Sequence, residues 1–165
     1  MRRLACLLAV AALSACQQPA EPAPPPGPGP APAPETPAPV ADWQSTSSGE
    51  GVGLSLIQAG QSVLTLSCLR SPEGFRVTVP GFTKITSEER LSVGAGDEAF
   101  VMVADLASDQ PGVVATGESP TDFLDRIERG GAISASYGAQ TSGPHPAPDA
   151  EQARAFLTDC REIAG

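Results

Sequence analysis

No apolar run in this 165-residue chain is long enough to stay in a bilayer. The longest, Leu4 to Leu13, is ten residues, about 15 Å of helix against a hydrocarbon core roughly twice as thick. Histidine is almost as scarce. The single one, His145, sits between Pro144 and Pro146 with Asp149 four residues on. Neither a GxSxG elbow nor an SxxK pair accompanies it, so serine-hydrolase chemistry lacks a recognisable nucleophile. Aromatic residues make up 4% of the chain, which leaves Trp43 and Tyr137 as isolated rings, expected to fill core or edge positions rather than to stack on a glycan. No CxxC pair offers redox chemistry.

Other motifs are absent in ways that close off whole function classes. Gly94 and Gly96 lack the third glycine and the following helix of a dinucleotide site, and with Asp97 they read as a turn. Asp105 and Asp109 bracket a loop without the alternating oxygen ligands and closing glutamate of a calcium loop. The neighbouring acids Glu88 with Glu89, and Asp97 with Glu98, project to opposite faces of an extended chain, so neither pair is a ready carboxylate dyad. No catalytic residue, cofactor or metal ligand is expected, and the chain reads as no enzyme.

What is present begins at the N-terminus. Met1, Arg2 and Arg3 precede the short apolar run, and small residues follow it, the pattern of a secretory signal peptide over residues 1–15. The run ends Leu13, Ser14, Ala15, Cys16, which resembles the lipobox of bacterial lipoproteins. The resemblance covers about the first seventeen residues and implies cleavage before Cys16, lipid on its sulfur and acylation of the new amino group. Several acyl chains hold a protein stably at a membrane. Gln17, where an aspartate often retains such proteins at the inner membrane, implies sorting to an outer membrane, with the protein facing the periplasm.

Loss of residues 1–15 leaves eight basic residues against nineteen acidic ones, a charge of minus eleven. Phosphate-based binding of nucleic acid is thereby disfavoured. The same charge would draw in a cationic partner, and it also keeps a small domain soluble.

Residues 16–41 carry the lipidated cysteine and a linker, with eleven of the eighteen prolines between residues 17 and 40 and only Glu21 and Glu35 charged there. Such a segment has nothing to form a core and behaves as a polyproline-like tether, reaching roughly 75 Å when extended.

From Asp42 the pattern changes, and residues 42–165 form one expected domain. Leu54 and Leu56, then Leu64, Leu66 and Cys68, then Phe75, Val77 and Val79, recur at period two and predict three strands. Ala59 with Gly60, and Ser71 to Gly74, mark the turns between them. Leu91 with Val93, Phe100 to Val103, and Ile133 to Tyr137 predict three more. Ser119, Pro120 and Asp122 start a short helix carrying Phe123, Leu124 and Ile127, which Gly130 ends. The stretch 143–148 is too rich in proline for regular structure. Asp149 with Gln152 then opens a capping-box-like start to a helix whose stripe is Ala153, Phe156, Leu157 and Cys160. The fold class is α+β: a small antiparallel β-rich domain, sandwich or roll, with a short helix and a C-terminal helix docked on the sheet.

Four cysteines complete the reading. Cys6 leaves with the leader and the lipobox resemblance assigns Cys16 to lipid, so Cys68 and Cys160 remain to pair in an oxidising compartment. The expected bond pins the last helix to the second predicted strand. The expected function is a non-catalytic binding or envelope-assembly lipoprotein whose partner is an envelope protein or peptidoglycan. The alternatives are an inhibitor of a cationic envelope-attacking enzyme such as lysozyme and a passive structural lipoprotein, with an envelope hydrolase built on His145 ranked below both. Small acidic β-barrel lipoproteins of that inhibitor type share this general plan, but residues 134–138, Ser-Ala-Ser-Tyr-Gly, are no convincing counterpart of their motif.

Overall fold

The computed structural model describes residues 42–70, 73–118 and 121–164. The leader, Cys16 and the linker lie outside the described residues, as do the turn residues 71–72 and the helix-start residues 119–120.

Period-two alternation builds the first half of the sheet. In β2 (Gly51–Gln58), β3 (Gln61–Arg70) and β4 (Glu73–Val79) the apolar positions named above are all buried. Register places Leu54 opposite Leu66 and Leu66 opposite Val77, so one apolar row runs across three strands. Ala59 and Gly60 join β2 to β3 with φ of 49° and 78°. Two successive left-handed residues match the twist of the hairpin, at a steric cost for alanine.

β5 (Arg90–Ala95) and β6 (Glu98–Ala104) form a second hairpin around Gly96 and Asp97. Gly94, read from sequence as part of that turn, lies inside β5. A side chain there would collide with Ser134 of the neighbouring strand β8 (Ile133–Tyr137), so glycine marks a close approach rather than a turn.

Three further strands carry little alternation: β1 (Asp42–Ser48), β7 (Val113–Gly117) and β9 (Gln140–His145). β9 corrects the expectation that 143–148 is irregular throughout. It is an edge strand, where proline's missing N–H removes nothing from the ladder, and a bulge opposite Ile133–Ala135 absorbs Gly143 and Pro144.

All nine strands form one antiparallel sheet in the order β1-β2-β3-β4-β7-β6-β5-β8-β9. This is the expected antiparallel β-rich α+β architecture, with its strands joined in one continuous sheet that we describe as a roll. Its inner face closes over α1 (Thr121–Glu128) and α2 (Ala150–Ala164). Phe123 of α1 meets Phe75 and Phe100 edge-on, at ring separations of 5.8 and 5.3 Å. Ala153, Phe156, Leu157 and Cys160 of α2 are buried as the helical spacing predicts. Asp149 caps α2 by accepting from the N–H groups of Glu151 and Gln152 at 3.0 and 2.9 Å. Gln152 does not complete a capping box; its amide donates to the carbonyl of Trp43 at 2.7 Å.

The Cys68–Cys160 disulfide joins α2 to β3, with 5.3 Å between the Cα atoms and a sequence separation of 92. The two ends of the sheet also meet: β1 and β2 on one side contact the end of β9 and the residue after it on the other. Trp43 Nε1–H donates to the Pro146 carbonyl at 2.9 Å, and Gln58 at the end of β2 reaches His145 at 3.2 Å. The roll is therefore latched at one end of its seam by four polar groups rather than by a ladder.

Candidate functional site

His145 sits at that seam. Its Nε2 lies 2.9 Å from Ser142 Oγ, and its Nδ1 lies 3.2 Å from the amide nitrogen of Gln58. An amide nitrogen only donates, so Nδ1 accepts, and the neutral ring carries its proton on Nε2 and donates it to Ser142. A serine nucleophile needs the reverse arrangement, with Nε2 free to take the hydroxyl proton. The pair thus closes the β9 bulge. Partial burial pushes the imidazole below its ordinary pKa, which favours this neutral form. Asp149 is engaged with the α2 cap instead of with His145.

Of the other acidic residues singled out from sequence, Asp97, Glu98, Glu88, Glu89 and Asp105 find local partners. Asp97 and Glu98, expected on opposite faces, both engage Arg126 of α1, with Asp97 at 2.7 Å. Asp97 belongs to the tight turn, where strand alternation does not hold. Glu88 accepts from the Arg90 N–H at 3.0 Å, while Glu89 contributes its carbonyl to Ala104 N–H at 2.8 Å. Asp105 closes an Asx-type turn onto Ala107 N–H at 3.0 Å. No group of three or more potential metal ligands gathers among the described residues. Trp43 and Tyr137 are buried, and the Tyr137 hydroxyl donates to Glu88 C=O at 2.7 Å and accepts from Ile85 N–H at 3.2 Å. These rings hold the framework and present no stacking surface.

The outer face of the sheet is different. Register aligns Thr46, Gly53, Ser67, Arg76, Thr116 and Val103 in one cross-strand row running from β1 to β6. A parallel row holds Ser55, Thr65 and Thr78. In β2, β3 and β4 the inward positions are filled by leucine, valine, phenylalanine and Cys68, so the polar residues between them are forced outward by period two. Ser55 and Thr65 bond to each other at 2.9 Å, while Ser67, Thr78 and Thr116 line open space.

That space has two compartments that share Arg76. On one side is a groove of about 280 Å³ whose walls are Thr46, Thr65, Ser67 and Thr78, with Glu50 at its rim. Gly53 makes it possible: a Cβ there would stand 2.7 Å from Thr46 Oγ1 and 3.6 Å from Ser67 Oγ. On the other side is a hollow of about 460 Å³ formed by Leu69, Gly74, Val103, Thr116 and Gly117, with Glu118 at its margin. Val101 and Val103 are the exposed large aliphatic side chains of the described residues, at 64% and 66% exposure.

Arg76 stands between the two without an ion pair to any described residue, and its Nε is buried with no hydrogen-bond partner. Arg126 shows the contrast. Its Nε is likewise unpartnered, but its terminal nitrogens hold two carboxylates. A guanidinium left without an anion beside a groove of hydroxyls is a ready partner for a negatively charged group.

Sequence reading did not single out Arg76. Its outward direction was implicit in the alternation Phe75, Val77, Val79, but its neighbours depend on a β4–β7 pairing that no local signal announces. Comparison with protein-family models, with curated proteins and with solved structures finds no match.

Proposed function

We propose that this chain is a lipid-anchored lipoprotein of the bacterial cell envelope, probed from the periplasmic side by its ligands, and that its β-roll is a non-catalytic binding module. The Leu13-Ser14-Ala15-Cys16 sequence supports the anchor, and the proline-rich stretch after it supports a tether that lets the domain stand off from the membrane. The observation that carries the binding reading is the outer-face groove around Arg76, a preformed concavity on a sheet whose opposite face is packed against two helices and a disulfide. The seam histidine supports a non-catalytic reading, because both of its ring nitrogens are taken up by Gln58 and Ser142 at the β9 bulge while Asp149 caps α2.

Two measurements test this. Cys16→Ser should release the protein from the membrane fraction or block its processing, and unchanged retention in that variant would refute the anchor. A photo-crosslinking residue placed at Thr78 should capture an envelope component that the same residue at Asp159, on the exposed side of α2, does not. Equal capture from both positions, or none from either, would remove the groove from the function.

A further inference from the structure

The groove and the hollow differ in chemistry, and the difference specifies a ligand. Arg76 offers a fork of N–H donors that matches a carboxylate geometrically. The hollow beside it is walled by the side chains of Leu69 and Val103 over the glycines Gly74 and Gly117, and Val103 stands directly opposite Thr116, the β7 neighbour of Arg76. An aliphatic group fits there. The groove on the other side presents hydroxyls, which both donate and accept, and so suits a chain of alternating N–H and C=O groups.

We propose that this face binds the C-terminal end of a peptide that finishes in a small aliphatic residue. The terminal carboxylate pairs with Arg76, the last side chain lies in the hollow against Val103, and the preceding amides run along Thr65, Ser67 and Thr78. This assignment rests on the binding-module reading above. An unbranched fatty acid would satisfy Arg76 and the hollow but leave the hydroxyl groove without partners. Glu50 and Glu118 are the carboxylates that line the two compartments, and each stands beyond 4 Å from Arg76. The many other acidic residues act weakly at this distance, because at 0.15 M salt the field of an exposed charge decays over about 8 Å.

The test is a titration of the full mature protein in detergent, followed by amide chemical shifts, with acetyl-Ser-Ala-Val as the free acid, its C-terminal amide, and butyrate as three separate probes. The acid should bind with a dissociation constant on the order of 1 mM and shift the amides of Val103, Thr116 and Gly117. The C-terminal amide should bind at least about tenfold more weakly, as should the acid to Arg76→Gln. Arg76→Lys, which keeps the charge and loses the fork, should recover only part of the affinity. Equal affinity for acid and amide, or no loss in Arg76→Gln, overturns the proposal. Butyrate binding as tightly as the peptide overturns the peptide assignment and leaves a simple aliphatic-carboxylate site. Absence of binding by all three probes, with crosslinking at Thr78 intact, would sink this ligand class while the binding-module reading stands.

Discussion

Reducing or deleting the Cys68–Cys160 bond is expected to cost the domain a large part of its stability. The bond closes a loop spanning 92 residues, from β3 to α2. In the chain-entropy treatment a cross-link of that span restricts the unfolded ensemble by about 4.5 kcal/mol at 25 °C, against a typical net stability of roughly 5–15 kcal/mol for a whole domain. Both sulfurs are buried, so serine would add an unsatisfied hydroxyl, and the clean variant is Cys68→Ala with Cys160→Ala. Urea unfolding supplies the assay. Trp43 is buried at the seam and its carbonyl accepts from Gln152 of α2, so its fluorescence reports whether that helix is docked, while far-ultraviolet dichroism reports the sheet. With a denaturant slope of about 2 kcal/mol per M, the midpoint should fall by about 2 M. Reduction of the unmutated protein should give nearly the same fall, because the cross-link rather than the sulfur packing carries the effect. A loss below about 1 kcal/mol on reduction would refute the loop argument. A loss confined to the double alanine variant would assign the effect to packing.

Acidification should weaken the fold through His145. Burial lowers its pKa in the folded state relative to the ordinary 6.5, so the neutral ring's contribution is fully present above pH 6.5 and is lost as the pH falls through the lowered value. The urea midpoint should drop between pH 7.5 and 5, and His145→Gln should flatten that dependence; an identical slope in the variant would assign it to other groups. Tyr137→Phe leaves Ile85 N–H and the Glu88 carbonyl without their buried partner, and should cost about 1–3 kcal/mol in the same assay. Loss of less than about 0.5 kcal/mol would show that the hydroxyl does not hold the loop before β5. Ala59→Asn relieves a left-handed alanine and should stabilise by about 0.5–1 kcal/mol, whereas destabilisation would show that alanine is not strained there. Gly53→Val should fill the groove and abolish crosslinking from Thr78, with the Trp43 emission of the native state retained.

The parts of the fold legible in the sequence are those whose inner face is apolar on every second or every third and fourth residue. β2, β3, β4, β5, β6 and β8 share that property, as do both helices. β1 was illegible because an edge strand buries only Trp43 among seven residues. β7 is a five-residue strand with three buried positions in succession, Val113, Val114 and Ala115, so period two never develops. β9 was hidden by Gly143 and Pro144, which local rules assign to loops and which only an edge position tolerates. The disulfide followed from counting cysteines against their expected fates. The groove could not be read in the same way, because Arg76, Ser67 and Thr116 lie on three strands whose adjacency is set by the packing of the whole roll.

The way β1 is attached has a mechanical consequence. It pairs with β2 alone, and its first residue, Asp42, lies opposite Ile57 at the end of the hairpin far from the turn. Tension arriving from the chain ahead of Asp42 would load these pairs one after another, as in peeling tape, rather than all together in shear. The indole of Trp43, locked to Pro146 and with its carbonyl gripped by Gln152, is the second residue to feel the pull. A tug strong enough to dislodge that ring would strip off a single strand, leaving the leucine and valine rows beneath it in place.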